Sequence, residues 1–354
     1  MLVFISLISI KVACVLAQIY NIALNLLILI VKFCSKIPGA KLNVITISGV
    51  TIVAYYLIII IGNYFYTVLQ KENRNSIENL IVKIKKYITK NKNKVIQSIV
   101  GLCITILCIQ LCIRSFKGLE IYMVDVGQGD CTVIITPHNK KIIIDGGGSS
   151  NQESSYDVGE RVVFPYLLDR KIFSLDYIVI SHFDADHCKG LEYVIKNMKV
   201  KTVIIPKQFE ENYNYNEFIK IVREKNIKVV EVTAGDKIRL DKNVYMYVLW
   251  PTKEGIKENA TNNNSIVCKI CYNNFSALFT GDIEEIAEKE IAKKYKNILK
   301  SDLIKVAHHG SKSSSIKEFL ELVKPKIALI GVGKENKFGH PNADVLERLK
   351  RIQV

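Results

Sequence analysis

The first 70 residues contain no aspartate or glutamate; their only charges are Lys11, Lys32, Lys36 and Lys41. Residues 71–94 are also poor in acid, with eight basic side chains against two acidic ones. These two segments hold +4 and +6 of the chain's net +15, which leaves +5 for everything after them. A basic excess that flanks apolar segments reads as membrane topology, so it is no argument for nucleic-acid binding. The remaining +5 permits a polyanionic substrate without requiring one. A dense basic-aromatic stripe is missing from 118–354, so a grip on nucleic acid is not legible in the sequence. The nine cysteines are an odd number, which argues against a disulfide framework. Cys268 and Cys271 have CxxC spacing but no second such pair, and positions three apart on a strand face opposite sides. A zinc knuckle is therefore not expected. Cys14, Cys103, Cys108 and Cys112 lie in apolar segments, where cysteine acts as a small hydrophobe.

Three apolar stretches are present, at about 12–31, 42–69 and 95–113. Each is long enough to supply the ~20 residues that cross a bilayer as a helix. The first is too long for the apolar core of a signal peptide, and no clear cleavage site with a polar tail follows it. Gln18, Asn21 and Asn25 recur on it at near-helical spacing, as on a face packed against other helices. Pro38 and Gly39 mark the turn to the second stretch. The loop 71–94 is richer in basic residues than the link 32–41, so it is expected on the cytoplasmic side. The N-terminus is then inside, and residues 118–354 lie on the extracytoplasmic face. Three spans with polar faces do not form a finished pore. The chain is expected to oligomerise or to be the tail of a longer membrane protein.

Residues 118–354 alternate strands and helices. Strands are predicted at 119–124, 131–136, 141–144, 175–180, 202–205, 228–232, 244–250, 265–272, 275–279, 303–307 and 326–330. Helices are predicted at about 158–168, 190–197, 216–225, 283–294, 316–323 and 343–350. Two batches of strands with interspersed helices suggest two sheets packed face to face with helices outside. Polar clusters recur just past strand ends, where a rigid scaffold presents functional loops. The densest is His182-Phe183-Asp184-Ala185-Asp186-His187. On an extended chain His182 and Asp184 point the same way. Asp186 and His187 point differently, so one loop can serve two metal ions. A plain polar turn would not need so many exposed ionisable groups.

That hexapeptide, Asp282 in Thr280-Gly281-Asp282, and His308-His309-Gly310-Ser311 resemble the metallo-β-lactamase superfamily, an αββα sandwich. Asp125-Val126-Gly127-Gln128-Gly129-Asp130, the run 262–265 and Phe338-Gly339-His340-Pro341 are similar to the C-terminal domain of ComEC-type competence proteins, the DNA-uptake channels of bacteria. The resemblance covers essentially all of 118–354. Such proteins normally carry more spans and an N-terminal soluble domain. This chain is expected to begin inside what would be the channel and to stop before the family's domain usually ends.

The resemblance implies a membrane-anchored, metal-dependent hydrolase, a DNA nuclease linked to uptake. A phosphodiester resists hydrolysis because its anionic oxygens repel a nucleophile and its leaving alkoxide is poor. Two metal ions about 4 Å apart answer both problems. By resemblance Asp186 and His187 bind one ion together with His308 or His309, His182 and Asp184 bind the other, and Asp282 bridges through its two oxygens. Adjacent residues at a strand end face opposite ways, so one of the two histidines is expected to bind metal and the other to contact phosphate. The superfamily has His where Asp184 stands; a harder ligand favours Mn²⁺ or Mg²⁺, with Zn²⁺ still open. No histidine lies between 187 and 308, where a further ligand is usual. Asn264 is expected to line that place and to leave an ion loosely held.

Catalytic roles fall to Asp186, Asp282, Lys305 and His340. His340 is expected to approach the reacting group, and Lys305 to meet a phosphate or face solvent. Asp145 either braces the metal loop or is a turn Asp before three glycines. Gln128 and Asp130 border the site or act as caps. Ser311 contacts phosphate or caps the next helix. Expected partners are DNA, membrane lipid, other competence or channel components, and further copies of the chain. Two other readings stand beside this one: hydrolysis of a small ester, lactam, thioester or phosphoester on the same scaffold, and a non-catalytic truncated channel component.

Overall fold

The structure is a computed structural model that describes residues 9–35, 37, 47, 49–71, most of 82–105, 118–149 and 156–354. It divides into two units, Met1–Ile45 and Thr46–Val354. In the first, helix α1 (Ile10–Ser35) has 26 residues and so is about 39 Å long. Among the described residues it is the one helix long and apolar enough to cross a membrane. Its Ile, Leu and Val side chains are exposed all round, Ile22 at 70%. In the second unit, helix α2 (Gly49–Lys71) covers most of the second expected span, although its apolar part is the shorter Gly49–Asn63. Residues 38–46, 72–81 and 106–117 lie outside the described residues, and with them the Pro38–Gly39 turn, part of the basic loop and half of the third expected span.

The first sheet is built from β1 (Glu120–Met123), β2 (Thr132–Ile135), β3 (Lys141–Ile144), β4 (Ser174–Val179), β5 (Lys199–Pro206) and β6 (Lys228–Val232), side by side in chain order. β1, β2 and β3 are antiparallel, and β3 to β6 are parallel. Its helices are α3 (Phe164–Asp169), entered through a π-turn at Gly159–Val163, α4 (Ala185–Asn197) and α5 (Tyr213–Glu224). The second sheet runs β12-β11-β10-β9-β8-β7. It comprises β7 (Lys237–Asp241), β8 (Val244–Trp250), β9 (Val267–Tyr272), β10 (Phe275–Phe279), β11 (Leu303–Lys305) and β12 (Ile327–Leu329). The short helix α6 (Ala260–Asn263) precedes β9, and α7 (Glu285–Tyr295), α8 (Lys317–Val323) and α9 (Ala343–Arg351) follow β10, β11 and β12.

Strand alternation explains the layering. Ile142 and Ile144 of β3 face the second sheet, where they join Met246, Ile270 and Phe279, whereas Ile143 faces outward with Leu167 and Leu191. On the far side Leu278 and Ile304 pack with Ile291, Phe319 and Leu349. The three cores stack as helix, sheet, sheet, helix. β7 and the short α6 are absent from the sequence reading, and several bounds shift, among them that of α4. β7 escapes it because its Lys-Ile-Arg-Leu-Asp run is rich in charge, as suits an edge strand. α4 begins at Ala185 rather than near 190. Its polar first turn hides a buried stripe made by His187, Cys188, Leu191, Val194 and Ile195.

Candidate metal centre

The polar side chains meet where the two sheets present the ends of β3, β4, β10 and β11. β3 runs out into Asp145. Its Oδ1 accepts the Ser181 amide at 2.8 Å, and its Oδ2 accepts the Ser181 hydroxyl at 2.7 Å. The same Oδ2 is 3.0 Å from His187 Nδ1. Asp145 therefore braces the metal loop. Since Nδ1 of His187 donates to this carboxylate, Nε2 is the ring nitrogen left to face the site, where a cation would displace its proton. His309 is oriented in the same way, Nδ1 donating to the Gly331 carbonyl at 2.7 Å. α4 can approach this closely because Gly129 lies against it: a Cβ there would stand 2.4 Å from the Asp186 carbonyl oxygen.

Three donor atoms converge, and a fourth, from Asp186, touches one of them. His187 Nε2 is 3.3 Å from His309 Nε2 and 3.3 Å from Asp282 Oδ2. His309 Nε2 is 3.1 Å from Asp282 Oδ2 and 3.2 Å from Asp186 Oδ2. Ligand atoms sharing one ion at 2.0–2.1 Å stand about 3 Å apart in an octahedron and about 3.4 Å apart in a tetrahedron. The observed separations fit a single divalent cation. Charge agrees with geometry. Burial opposes a proton on His187, yet Asp282 and Asp145 raise its pKa well above the ordinary value. Burial is likewise outweighed at His309, where Asp282 and Asp130 push it up to about 10. Despite burial, the His309 hydrogen bond and the His187 charge take Asp186 down to about 2. His187, His309 and Lys305 hold Asp282 well below the usual carboxylate range against the same opposing burial. A field that holds positive charge at this point also attracts a cation.

A second set lies beside the first. His182 is buried, and its Nε2 has no hydrogen-bond partner. It stands 3.6 Å from Asp184 Oδ2. His308 comes from the other side, with Nε2 4.0 Å from Asp282 Oδ2 and Nδ1 3.5 Å from Glu284. An orphaned buried imidazole facing a half-exposed carboxylate fits a second ion.

Several expectations change. The chain leaves β11 after Lys305, and Ala307–Gly310 forms a tight turn in which His308 and His309 both adopt left-handed backbone. Both rings therefore approach Asp282, instead of facing opposite ways. Asp282 does not bridge through two oxygens: Oδ1 is 3.4 Å from the Lys305 ammonium, and Oδ2 alone faces both histidine sets. Lys305 does not face solvent; its ammonium is turned to buried carboxylates. It is 3% exposed, donates to the Gly281 carbonyl at 3.1 Å and lies against Asp130. Burial would lower its pKa, but Asp130 and Asp282 raise it. Asp130 lies within 4.8 Å of His187, Asp282 and His309, the span of a ligand group. However, its oxygens approach the Nδ1 sides of the two rings, at 3.8 and 3.7 Å. It is a buried charge partner behind the ligands, a role that the sequence gives only as a bordering position.

Asn264 is not a ligand. Its amide donates to Ile256 and Ala260 carbonyls at 2.7 and 2.8 Å and accepts the Ile256 amide at 2.8 Å, so it pins its own loop. Ser311 pairs with Ser313 at 3.1 Å and does not cap α8, whose cap position is Ile316. Gln128 accepts the Gly333 amide at 3.1 Å and ties two rim loops together. His340 is half-buried at the rim, with its ring 5.8 Å from that of His308 and 6.3 Å from that of His309.

The sequence pattern of the metallo-beta-lactamase superfamily matches residues 124–334. ComE operon protein 3 of Bacillus subtilis is 35% identical over 266 residues, 72% of this chain and 34% of its own length. Recombination protein 2 of Haemophilus influenzae is 29% identical over 297 residues, 80% of this chain and 34% of its own. Competence protein ComA of Neisseria gonorrhoeae is 24% identical over 226 residues, 64% and 29% respectively. The chain thus spans about a third of the length of the curated relatives it matches. On its fold, its ligand geometry and these likenesses, the chain belongs to the metallo-beta-lactamase superfamily, among the ComEC-type competence proteins.

Proposed function

We propose that the chain is a membrane-anchored, metal-dependent nuclease that hydrolyses DNA phosphodiesters during DNA uptake. The observation that carries this reading is the convergence of His187, Asp282 and His309 within 3.1–3.3 Å of one another, with Asp186 3.2 Å from His309. These four would hold one cation. His182, Asp184 and His308, beside Asp282, would hold the second. When bound, a pair of divalent cations supplies Lewis acidity that activates water and offsets phosphate charge. The carboxylates of Asp184, Asp186 and Asp282 give a harder ligand set than thiolates or imidazoles alone and favour Mn²⁺ or Mg²⁺. Asp145 and the Gly331 carbonyl keep the Nδ1 protons of His187 and His309 fixed, so both Nε2 atoms stay aimed. Lys305 offsets the charge of Asp130 and Asp282 from behind. His340 has a buried Nδ1 without a hydrogen-bond partner, which suits a bond to the phosphate or the leaving oxygen.

Residues 1–117 form the membrane part in this reading, with about three helices, and place residues 118–354 outside the cytoplasm beside other channel components or further copies. α1 supports this: an exposed apolar helix about 39 Å long matches a hydrocarbon core of about 30 Å when tilted. The test is to incubate the protein with Mn²⁺ and linear DNA, beside Asp186→Ala. The parent should degrade DNA and the variant should not. Intact DNA in both, with Mn²⁺ bound to the parent, ends the nuclease reading.

A further inference from the structure

We infer that the rim loop 333–341 is a nucleobase-stacking platform, on which Phe338 receives one base of a single DNA strand beside the phosphate being cleaved. The inference rests on the nuclease reading above and adds the part of the substrate that is recognised. Phe338 is 69% exposed. Its ring lies nearly parallel to that of His340, at 5.6 Å and 24°, and His340 lies nearly parallel to His309, at 6.3 Å and 23°. Three rings thus step outward from the metal ligands to solvent, and the outermost presents an apolar face that the fold does not bury. Offset parallel rings at such spacings are the arrangement in which aromatic groups attract one another, and a base extends that series.

The loop is held in this shape from within. Asn336 accepts the Phe338 and His340 amides at 3.1 and 3.0 Å, and donates to the Gly333 and His340 carbonyls at 2.9 and 2.6 Å. Gly339, at φ +69°, makes the turn between the two rings. Gln128 fastens Gly333 to the 125–130 turn. Phe338 is therefore placed before any ligand arrives, which lowers the ordering cost of binding. Lys334 and Lys337 are exposed on the same loop, against one exposed acid, Glu335. Cations interleaved with an exposed aromatic suit a chain of phosphates and bases. A small ester ends at the metal ligands; only a substrate that extends past its reacting group reaches Phe338.

The experiment measures Mn²⁺-dependent cleavage of single-stranded oligonucleotides by the full chain, Phe338→Ala and Phe338→Trp. One oligonucleotide is intact, and a series carries a single abasic site stepped across the cleaved linkage. Phe338→Ala should raise KM roughly tenfold with a smaller change in kcat, and Phe338→Trp should restore it. One abasic position should cost the parent a similar factor and cost Phe338→Ala nothing further. Mn²⁺ stoichiometry should be the same in all three proteins. Unchanged KM in Phe338→Ala, or abasic penalties equal in parent and variant, overturns the platform while leaving the nuclease standing. An unchanged DNA KM together with weaker binding of Phe338→Ala to lipid vesicles assigns the ring to the membrane and likewise overturns it. A metal-loaded parent that cleaves no oligonucleotide removes both.

Discussion

Replacing Lys305 by methionine keeps most of the side-chain volume and removes one buried positive charge. The ammonium is 3.4 Å from Asp282 Oδ1 and lies against Asp130, with both carboxylates buried. At an effective dielectric of about 20, unit charges 3.4 Å apart interact by about 5 kcal/mol. Desolvation of the ammonium offsets part of that, and breaking a buried pair from one side costs about 3–5 kcal/mol. The loss should be largest without divalent metal, when Asp130 and Asp282 lack their lysine and no cation replaces it. With Mn²⁺ the gap should narrow, because the uncompensated carboxylates bind the cation more tightly. A tenfold lower Kd returns about 1.4 kcal/mol at saturating metal. Trp250, the chain's one tryptophan, is 4% exposed and donates to the Asn263 carbonyl at 2.6 Å, so its fluorescence reports unfolding of this domain. Urea titrations in detergent, in EDTA and in Mn²⁺, give the four free energies needed. A loss below about 1 kcal/mol in EDTA, or a gap that widens with Mn²⁺, refutes the electrostatic reasoning.

Four further outcomes follow from the same geometry. His309→Ala should abolish the first bound ion, whereas His308→Ala should lower only the occupancy of the second, as read by titration calorimetry. Asn264→Ala should cost about 1–3 kcal/mol through three lost loop hydrogen bonds, with Mn²⁺ stoichiometry unchanged; a lost ion would restore Asn264 as a ligand. Gly190→Ala would set a Cβ 2.0 Å from the Gly146 carbonyl oxygen, so α4 must move off the 145–148 turn, with an expected loss of about 1–3 kcal/mol or more and weaker metal binding. Glu288 is buried, and burial outweighs its bonds from the Ser315 and Ile316 amides to push its pKa up to about 7. The folded chain then keeps a proton that the unfolded chain releases near pH 4.5, so this group's contribution to stability falls as pH rises from about 4.5 to about 7 and is flat above. Glu288→Gln should remove that slope, and an unchanged pH profile would count against the raised value.

What the sequence makes legible is whatever one stretch of chain decides for itself. Lys141–Ile144, Lys228–Val232, Val244–Trp250 and Phe275–Phe279 are strands within the predicted bounds, because β-branched and aromatic runs between turn residues leave little choice. The cluster 182–187 stands out because it follows such a run. Lys305 shows the opposite case. It meets Asp130 across 175 positions, from a different sheet, and no local pattern records that meeting. A partial signal was available: Lys305 shares a face with Leu303, and that face packs between the two sheets rather than toward solvent.

The two adjacent histidines mark where strand reasoning fails. Alternation sends neighbours to opposite faces only while the chain stays extended. At His308 and His309 φ is 49° and 54°, a region that costs a non-glycine residue roughly 1–2 kcal/mol. Such strain survives only where the surroundings over-determine it. Here the Gly281 carbonyl accepts the His308 amide at 3.2 Å and the Gly331 carbonyl accepts His309 Nδ1 at 2.7 Å. Both acceptors lie just past strands that border β11, so it is the packing of β10 and β12 beside β11 that turns both rings toward Asp282. Strain is thus placed where the His308 and His309 rings both approach Oδ2 of Asp282.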